Sequence, residues 1–218
     1  MKTKTCYICC EGTEGVGKTT QASLLAQYLR ERGYSVLETK EPGTPLSPLT
    51  MQLRNIMLDK QYENEITPIA RELISQAIRS IHLERIIVPA FKSYDFIVQD
   101  RGILSGLAYG AACGHSKTWL KELAQHITVH NMNLLNFYNL YDCVIYLKGD
   151  VAHGLQRAQT AKQEFKAGDA MEAKGVTFLK NVADIFDNEA PKFRCVTIDI
   201  TGKDIQAVFN EIVRVLNL

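Results

Sequence analysis

Short apolar runs alternate with longer amphipathic stretches along this chain. Runs at 5–10, 35–40, 95–99, 143–148 and 193–200 read as strands. Several are apolar at successive positions, as strands covered on both faces are. Between them, apolar residues spaced three and four apart predict helices at 18–32, 47–59, 67–91, 103–112, 116–140, 151–165, 170–188 and 204–216. This alternation specifies an α/β fold, a parallel sheet flanked by helices on both faces. Gly33 terminates the first helix and Pro191 closes the penultimate one. No repeat or long linker interrupts the pattern, so residues 1–218 read as a single domain.

Two segments stand outside the alternation. EPGTPLSP at 41–48 carries three prolines and a glycine, which forbid regular structure. TAKQEFKAGDAMEAKG at 160–175 is polar and lysine-bearing. Its composition suits a mobile lid over about 157–175 and a plain solvated connection equally.

Charge narrows the choice of partners. Lys plus Arg (25) nearly balances Asp plus Glu (24), without the basic excess a nucleic-acid polymer would call for. The six cysteines show no repeated zinc spacing, and Cys6 and Cys9 sit in an apolar run where cysteine packs as a small hydrophobe. Scattered free thiols fit a reducing compartment. The apolar run near the start is too short for a signal-peptide core, and no segment reaches the ~18 apolar residues of a membrane span. The expectation is a soluble, cytoplasmic protein with no membrane partner.

The candidate chemistry begins at the end of the first strand. GTEGVGKT fits G-x-x-x-x-G-K-[ST] over Gly12, Thr13, Glu14, Gly15, Val16, Gly17, Lys18 and Thr19, with Thr20 following, between a predicted strand and a predicted helix. The glycines let backbone N–H groups converge on an anion, and the helix start adds its positive end. Lys18 supplies a mobile charge for the β- and γ-phosphates of ATP, and Thr19 a hydroxyl for Mg²⁺. The motif implies a P-loop NTPase fold. No N-K-x-D tetrapeptide for a guanine base occurs, and the length suits a small kinase. Asp100 and Arg101 close the third strand, where a carboxylate can hold the Mg²⁺ shell and a guanidinium can clamp phosphate.

EGTEGVGKTTQ, TKEPGTP, QDRGILSGLAYG and VIYLKGDVAHGLQRA together resemble, in order and spacing, the thymidylate kinase family over nearly the whole chain. The resemblance implies a five-stranded parallel sheet ringed by helices, a homodimer, and Mg²⁺-assisted transfer of the γ-phosphate of ATP to thymidine monophosphate. It assigns Glu14 to the acceptor sugar, Arg54 to the acceptor phosphate, and Arg79 to the pocket near the base. Asp100 and Arg101 match the D-R pair, Ser105 the serine behind it, Tyr109 an aromatic of the nucleoside pocket, and Glu41 the glutamate of the E-P-G loop.

The departures are specific. One glycine, Gly43, stands where two are usual, and Gly102 replaces a tyrosine. Ser75 falls at the place of an aromatic that stacks on thymine, Ile78 at an aspartate, and Gly110 at a glutamine. A modified or bulkier pyrimidine therefore stays open. Gly15 is not arginine, so the resemblance expects a lid arginine, yet the lid motif aligns on Asp169-Ala170-Met171-Glu172 and lacks one. Lys162 and Lys166 are the available catalytic substitutes, with Arg157 at the start of the segment. His126 and His130 lie four apart without a third ligand and read as surface or packing residues. Two rival readings remain: a kinase of another deoxynucleoside monophosphate, and an ATP-binding regulator that transfers nothing.

Overall fold

A computed structural model describes residues 5–132, 136–161 and 169–218. Five strands form one sheet: β1 (Cys6–Glu11), β2 (Val36–Lys40), β3 (Phe96–Asp100), β4 (Cys143–Lys148) and β5 (Val196–Asp199), in the order β2-β3-β1-β4-β5. Every pairing is parallel. Each strand therefore returns through a crossover, and helices cover both faces. The order reverses at β1, so the loops after β1 and β3 open side by side at the carboxyl edge, the usual ligand crevice of such sheets. This is a P-loop NTPase fold.

The helices are α1 (Lys18–Glu31), α2 (Pro48–Leu58), α3 (Pro68–His82), α4 (Val88–Ser93), α5 (Ile103–Ala112), α6 (Lys117–Met132), α7 (Val151–Ala161), α8 (Gly175–Glu189) and α9 (Ile205–Leu216). Ser47, Thr67 and Asp204 cap α2, α3 and α9 with their side-chain oxygens, and Pro48 and Pro68 stand at first helical positions. One face of the sheet packs Leu25, Leu29 and Ile212 against Ile8, Val98 and Ile145. The other packs Leu104, Ala108, Val182 and Phe186 against Tyr7, Ile97 and Tyr146.

The predicted helix at 67–91 is interrupted by a π turn, Leu83–Ile87, which ends two residues before Pro89. Proline lacks the N–H that an α-helix would send back one turn, and the wider turn absorbs the mismatch. The predicted helix at 116–140 ends at Met132, with a short 3₁₀ turn at Phe137–Asn139. Residues 193–195 leave the fifth strand, because the 3₁₀ turn Ala190–Phe193 occupies its predicted beginning. The far end of the predicted helix at 151–165 lies outside the described residues. His126 and His130 are exposed, and no group of three metal-ligating side chains occurs among the described residues. No described helix is long and apolar enough to cross a membrane.

Candidate active site

The turn from β1 into α1 takes its shape from glycine. Gly12, Gly15 and Gly17 all have positive φ, of 146°, 65° and 91°, where side chains are strained. Gly15 is also closed in from outside: a Cβ there would come within 1.8 Å of the Gly154 carbonyl on α7. An arginine at 15 is therefore excluded by backbone contact. Lys18 turns back so that Nζ donates to the Thr13 carbonyl, inside the loop it would share with a phosphate. Burial, and next the Arg101 charge, hold its ammonium down to about 8.

Across the loop, Arg101 adopts φ 62°, an uncommon conformation for a side chain of its kind. Neighbours impose it: the Arg101 N–H donates to Cys10 O at 2.8 Å, and Gln99 Nε2 donates to Arg101 O at 2.7 Å. The guanidinium then reaches Gly12 O at 3.0 Å, Ser105 Oγ at 3.2 Å and Glu14 Oε2 at 2.6 Å. Burial disfavours this cation, but Glu14 more than reverses the effect and raises its pKa. Tyr109 donates its hydroxyl to Glu14 Oε1 at 3.1 Å, and its ring lies 5.2 Å from the Arg101 guanidinium. Ser105 donates both its N–H and its hydroxyl to Glu11, a fully buried carboxylate whose pKa burial pushes up.

Thr19 donates its hydroxyl to Asp100 Oδ2 at 2.5 Å, while Asp100 Oδ1 is buried with no hydrogen-bond partner among the described residues. An orphaned carboxylate oxygen beside a threonine hydroxyl is a donor set suited to a hard cation that keeps most of its water and takes further oxygens from phosphate. The residues present fit Mg²⁺.

The second half of the site lies on α2 and α3. Arg54 on α2 lines the cavity, and its Nη1 is buried without a hydrogen-bond partner among the described residues. On α3, Arg79 donates Nε to Glu41 Oε2 at 3.0 Å, Nη1 to Gln76 Oε1 at 3.0 Å and Nη2 to Gly102 O at 3.3 Å. Glu41 also lies 2.9 Å from His82 Nδ1, whose Nε2 is 2.9 Å from Thr39 Oγ1. Burial raises the Glu41 carboxyl, but Arg79 and His82 outweigh it and hold it at about 2. Glu41 thus anchors Arg79 as well as facing the cavity. Ser75 lines the cavity one turn before Arg79, and Ile78 is fully buried.

One cavity of about 790 Å³ joins the two halves, bounded by Glu14 to Thr20, Glu41, Arg54, Ser75, Arg79, Asp100, Arg101, Ser105 and Tyr109. Gly12 and Thr13 underlie it as acceptors for Arg101 and Lys18. Lys162 and Lys166 lie outside the described residues. Ala170, at the place of the missing lid arginine, is buried with Met57, Leu58 and Met171, and its N–H donates to Leu58 O at 3.0 Å. Arg157 lines the cavity from α7. Reading the sequence missed Glu11, Glu72 and His82. The signal lay on α3, where Glu72, Gln76, Arg79 and His82 repeat at intervals of three and four and all are buried.

A cavity lined by a phosphate loop on one side and by Arg54 and Arg79 on the other suits a phosphotransferase for two anionic substrates. Residues 10–212 match the family model for thymidylate kinase. A thymidylate kinase of Francisella tularensis subsp. novicida (strain U112) is 32% identical over 213 residues, covering 97% of this chain and 95% of its own. One from Prochlorococcus marinus (strain MIT 9515) is 30% identical over 211 residues, covering 94% and 93%. The crystal structure of thymidylate kinase from Ehrlichia chaffeensis superposes with a TM-score of 0.71 at 25% identity over 99% of each chain. That of Candida albicans shares the fold, with a TM-score of 0.71 at 21% identity. The chain belongs to the thymidylate kinase family, nucleoside-monophosphate kinases that carry out ATP-dependent phosphorylation of dTMP to dTDP.

Proposed function

We propose that the whole chain works as one kinase domain in which ATP lies along residues 12–20 and dTMP lies between α2, α3 and α5. The observation that carries this arrangement is the convergence of Lys18, Arg101 and Arg54 on a single cavity. An acceptor phosphate oxygen attacks the γ-phosphorus in line as the bond to the β-bridging oxygen breaks, with ADP leaving. Both reactants are anions, so the protein's work is to hold them together and neutralise them. Lys18 takes the donor phosphates, Arg54 and Arg101 take the acceptor phosphate, and Glu14 orients Arg101 while facing the acceptor sugar. Arg79 and Tyr109 border the nucleoside, with Ser105 behind Arg101 and Glu41 behind Arg79.

Thr19 and Asp100 would hold Mg²⁺, which supplies charge neutralisation to the β- and γ-oxygens when bound. Arg157, Lys162 and Lys166 are the cations assigned to the lid over 157–175, where closure excludes water. A homodimer accords with the exposed apolar side chains Leu49 and Ile56 on α2 and Ile69 and Leu73 on α3. The experiment is coupled ADP release with ATP, Mg²⁺ and dTMP. Turnover that depends on dTMP is expected, and ATP binding without it would leave the chain a nucleotide-binding regulator.

A further inference from the structure

Glu72 is a carboxylate on the acceptor side that the proposed transfer does not use. It lines the cavity from α3, is only 7% exposed, and belongs to a chain of contacts that fixes it in place. Gln76 Nε2 donates to Glu72 Oε1 at 2.7 Å, and Gln76 Oε1 accepts from Arg79 Nη1 at 3.0 Å. Glu72 Oε2 has no hydrogen-bond partner among the described residues. It points at Gly110, where a Cβ would fall 2.9 Å from it. A Cβ at 110 would also fall 2.9 Å from Leu120, so only glycine leaves room for this oxygen at the cavity wall that Glu72 and Gly110 share. Ser75, also on α3, lines the same cavity with a small side chain.

We propose that Glu72 reads the acceptor base, and that it widens the site to bases whose facing edge carries an amino group. This rests on dTMP and its analogues lying between α2, α3 and α5. A carboxylate only accepts hydrogen bonds. Cytosine, adenine and guanine each present an exocyclic amine, whereas thymine presents one N–H between two carbonyl oxygens. The free Oε2 meets a donor in the first group and meets lone pairs beside the single donor of thymine. A buried acceptor favours the amino-bearing edge, because the thymine N–H reaches it only with a carbonyl lone pair on each side. A purely structural role, balancing the charge of Arg79, would treat all bases alike.

The test is kcat/KM for dTMP, dCMP, dAMP and dGMP with the intact enzyme and with Glu72→Gln, alongside calorimetric binding of each monophosphate. The amide of Gln offers a donor as well as an acceptor, which suits the mixed edge of thymine. The wild-type enzyme is expected to use at least one amino-bearing monophosphate. In Glu72→Gln its kcat/KM relative to dTMP should fall about tenfold. Glu72→Asp, which keeps the charge but withdraws it, should shift the same ratio less and serves if the amide variant does not fold. Turnover of an amino-bearing monophosphate without dTMP turnover would undo the thymidylate assignment and leave this inference standing. An equal loss for every base, or dTMP turnover with no binding of any amino-bearing monophosphate, would overturn it.

Discussion

The phenolic oxygen of Tyr141 fills the space above Gly102: a Cβ at 102 would lie 2.1 Å from it. The same oxygen accepts the Ile103 N–H at 3.2 Å, so it also closes the first turn of α5. Gly102 carries the carbonyl that receives Arg79 and follows Arg101, and Tyr141 therefore supports both arginines from below. A tyrosine at 102, which the family often carries there, would have no room beside the Tyr141 ring.

Gly102→Ala should destabilise the fold by about 1–3 kcal/mol through overpacking. Tyr141→Phe should cost about 1–3 kcal/mol by leaving the Ile103 N–H buried and unmet. The two share one space, so urea denaturation of the double variant should give less than the sum of the single losses. Strict additivity would mean that the contact does not govern the packing at 102.

A second prediction reverses an ordinary expectation. Replacing a helical glycine by alanine normally stabilises by about 1 kcal/mol. At Gly154 on α7 the added Cβ would lie 2.4 Å from Glu14 O, and the overpacking cost of about 1–3 kcal/mol wins. Gly154→Ala should lower thermal stability and weaken ATP binding by about tenfold, since about 1.4 kcal/mol is one decade. A variant with higher Tm and unchanged affinity would show that α7 moves away from the loop freely.

Lys18 gives a pH dependence. With its pKa held to about 8 by burial and Arg101, the ammonium is present below that pH and lost above it. ATP binds the charged form, so affinity should be level below about 8 and fall as pH rises through it. Calorimetry in buffers of different ionisation enthalpy should detect proton uptake of up to one per ATP in that range. Without ligand the sign differs: the unfolded chain keeps this proton up to about 10.5, so the fold gains stability as pH rises from about 8 towards that value. Flat affinity from neutral to mildly alkaline pH would contradict the placement of Lys18.

The pair of Glu41 and Arg79 should be costly to break. Arg79→Met leaves Glu41 buried against His82 alone and should cost about 3–5 kcal/mol. In the native enzyme the Glu41 contribution is complete above about 4.5 and declines as pH falls towards about 2. Acid denaturation of Glu41→Gln should therefore be shallower than that of the parent. A parent and variant with parallel acid profiles would remove Glu41 from that account.

The sheet and the phosphate loop were legible in the chain because both rest on local rules: apolar runs bounded by glycines, and a fixed spacing ending at Lys18. Arg54, Arg79 and Tyr109 were reached through resemblance, and they do line one cavity. What escaped reading depends on contacts distant in sequence. Nothing near Gly102 announces Tyr141, nothing near Gly15 announces Gly154, and the orientation of Glu72 depends on Gly110. The end of α6 at Met132 was obscured because aromatic residues beyond it continue an apolar pattern, although Phe137 and Tyr138 pack against Phe193 outside any long helix.

One helix, α3, carries Glu72, Ser75, Arg79 and His82. Each residue along a helix turns by about 100°, so losing or gaining one residue within the helix ahead of Glu72 would swing Glu72, Ser75 and Arg79 off the cavity and His82 off Glu41 together. Base choice and the anchoring of Arg79 are therefore free to drift only by exchange of side chains, while changes in chain length must accumulate elsewhere.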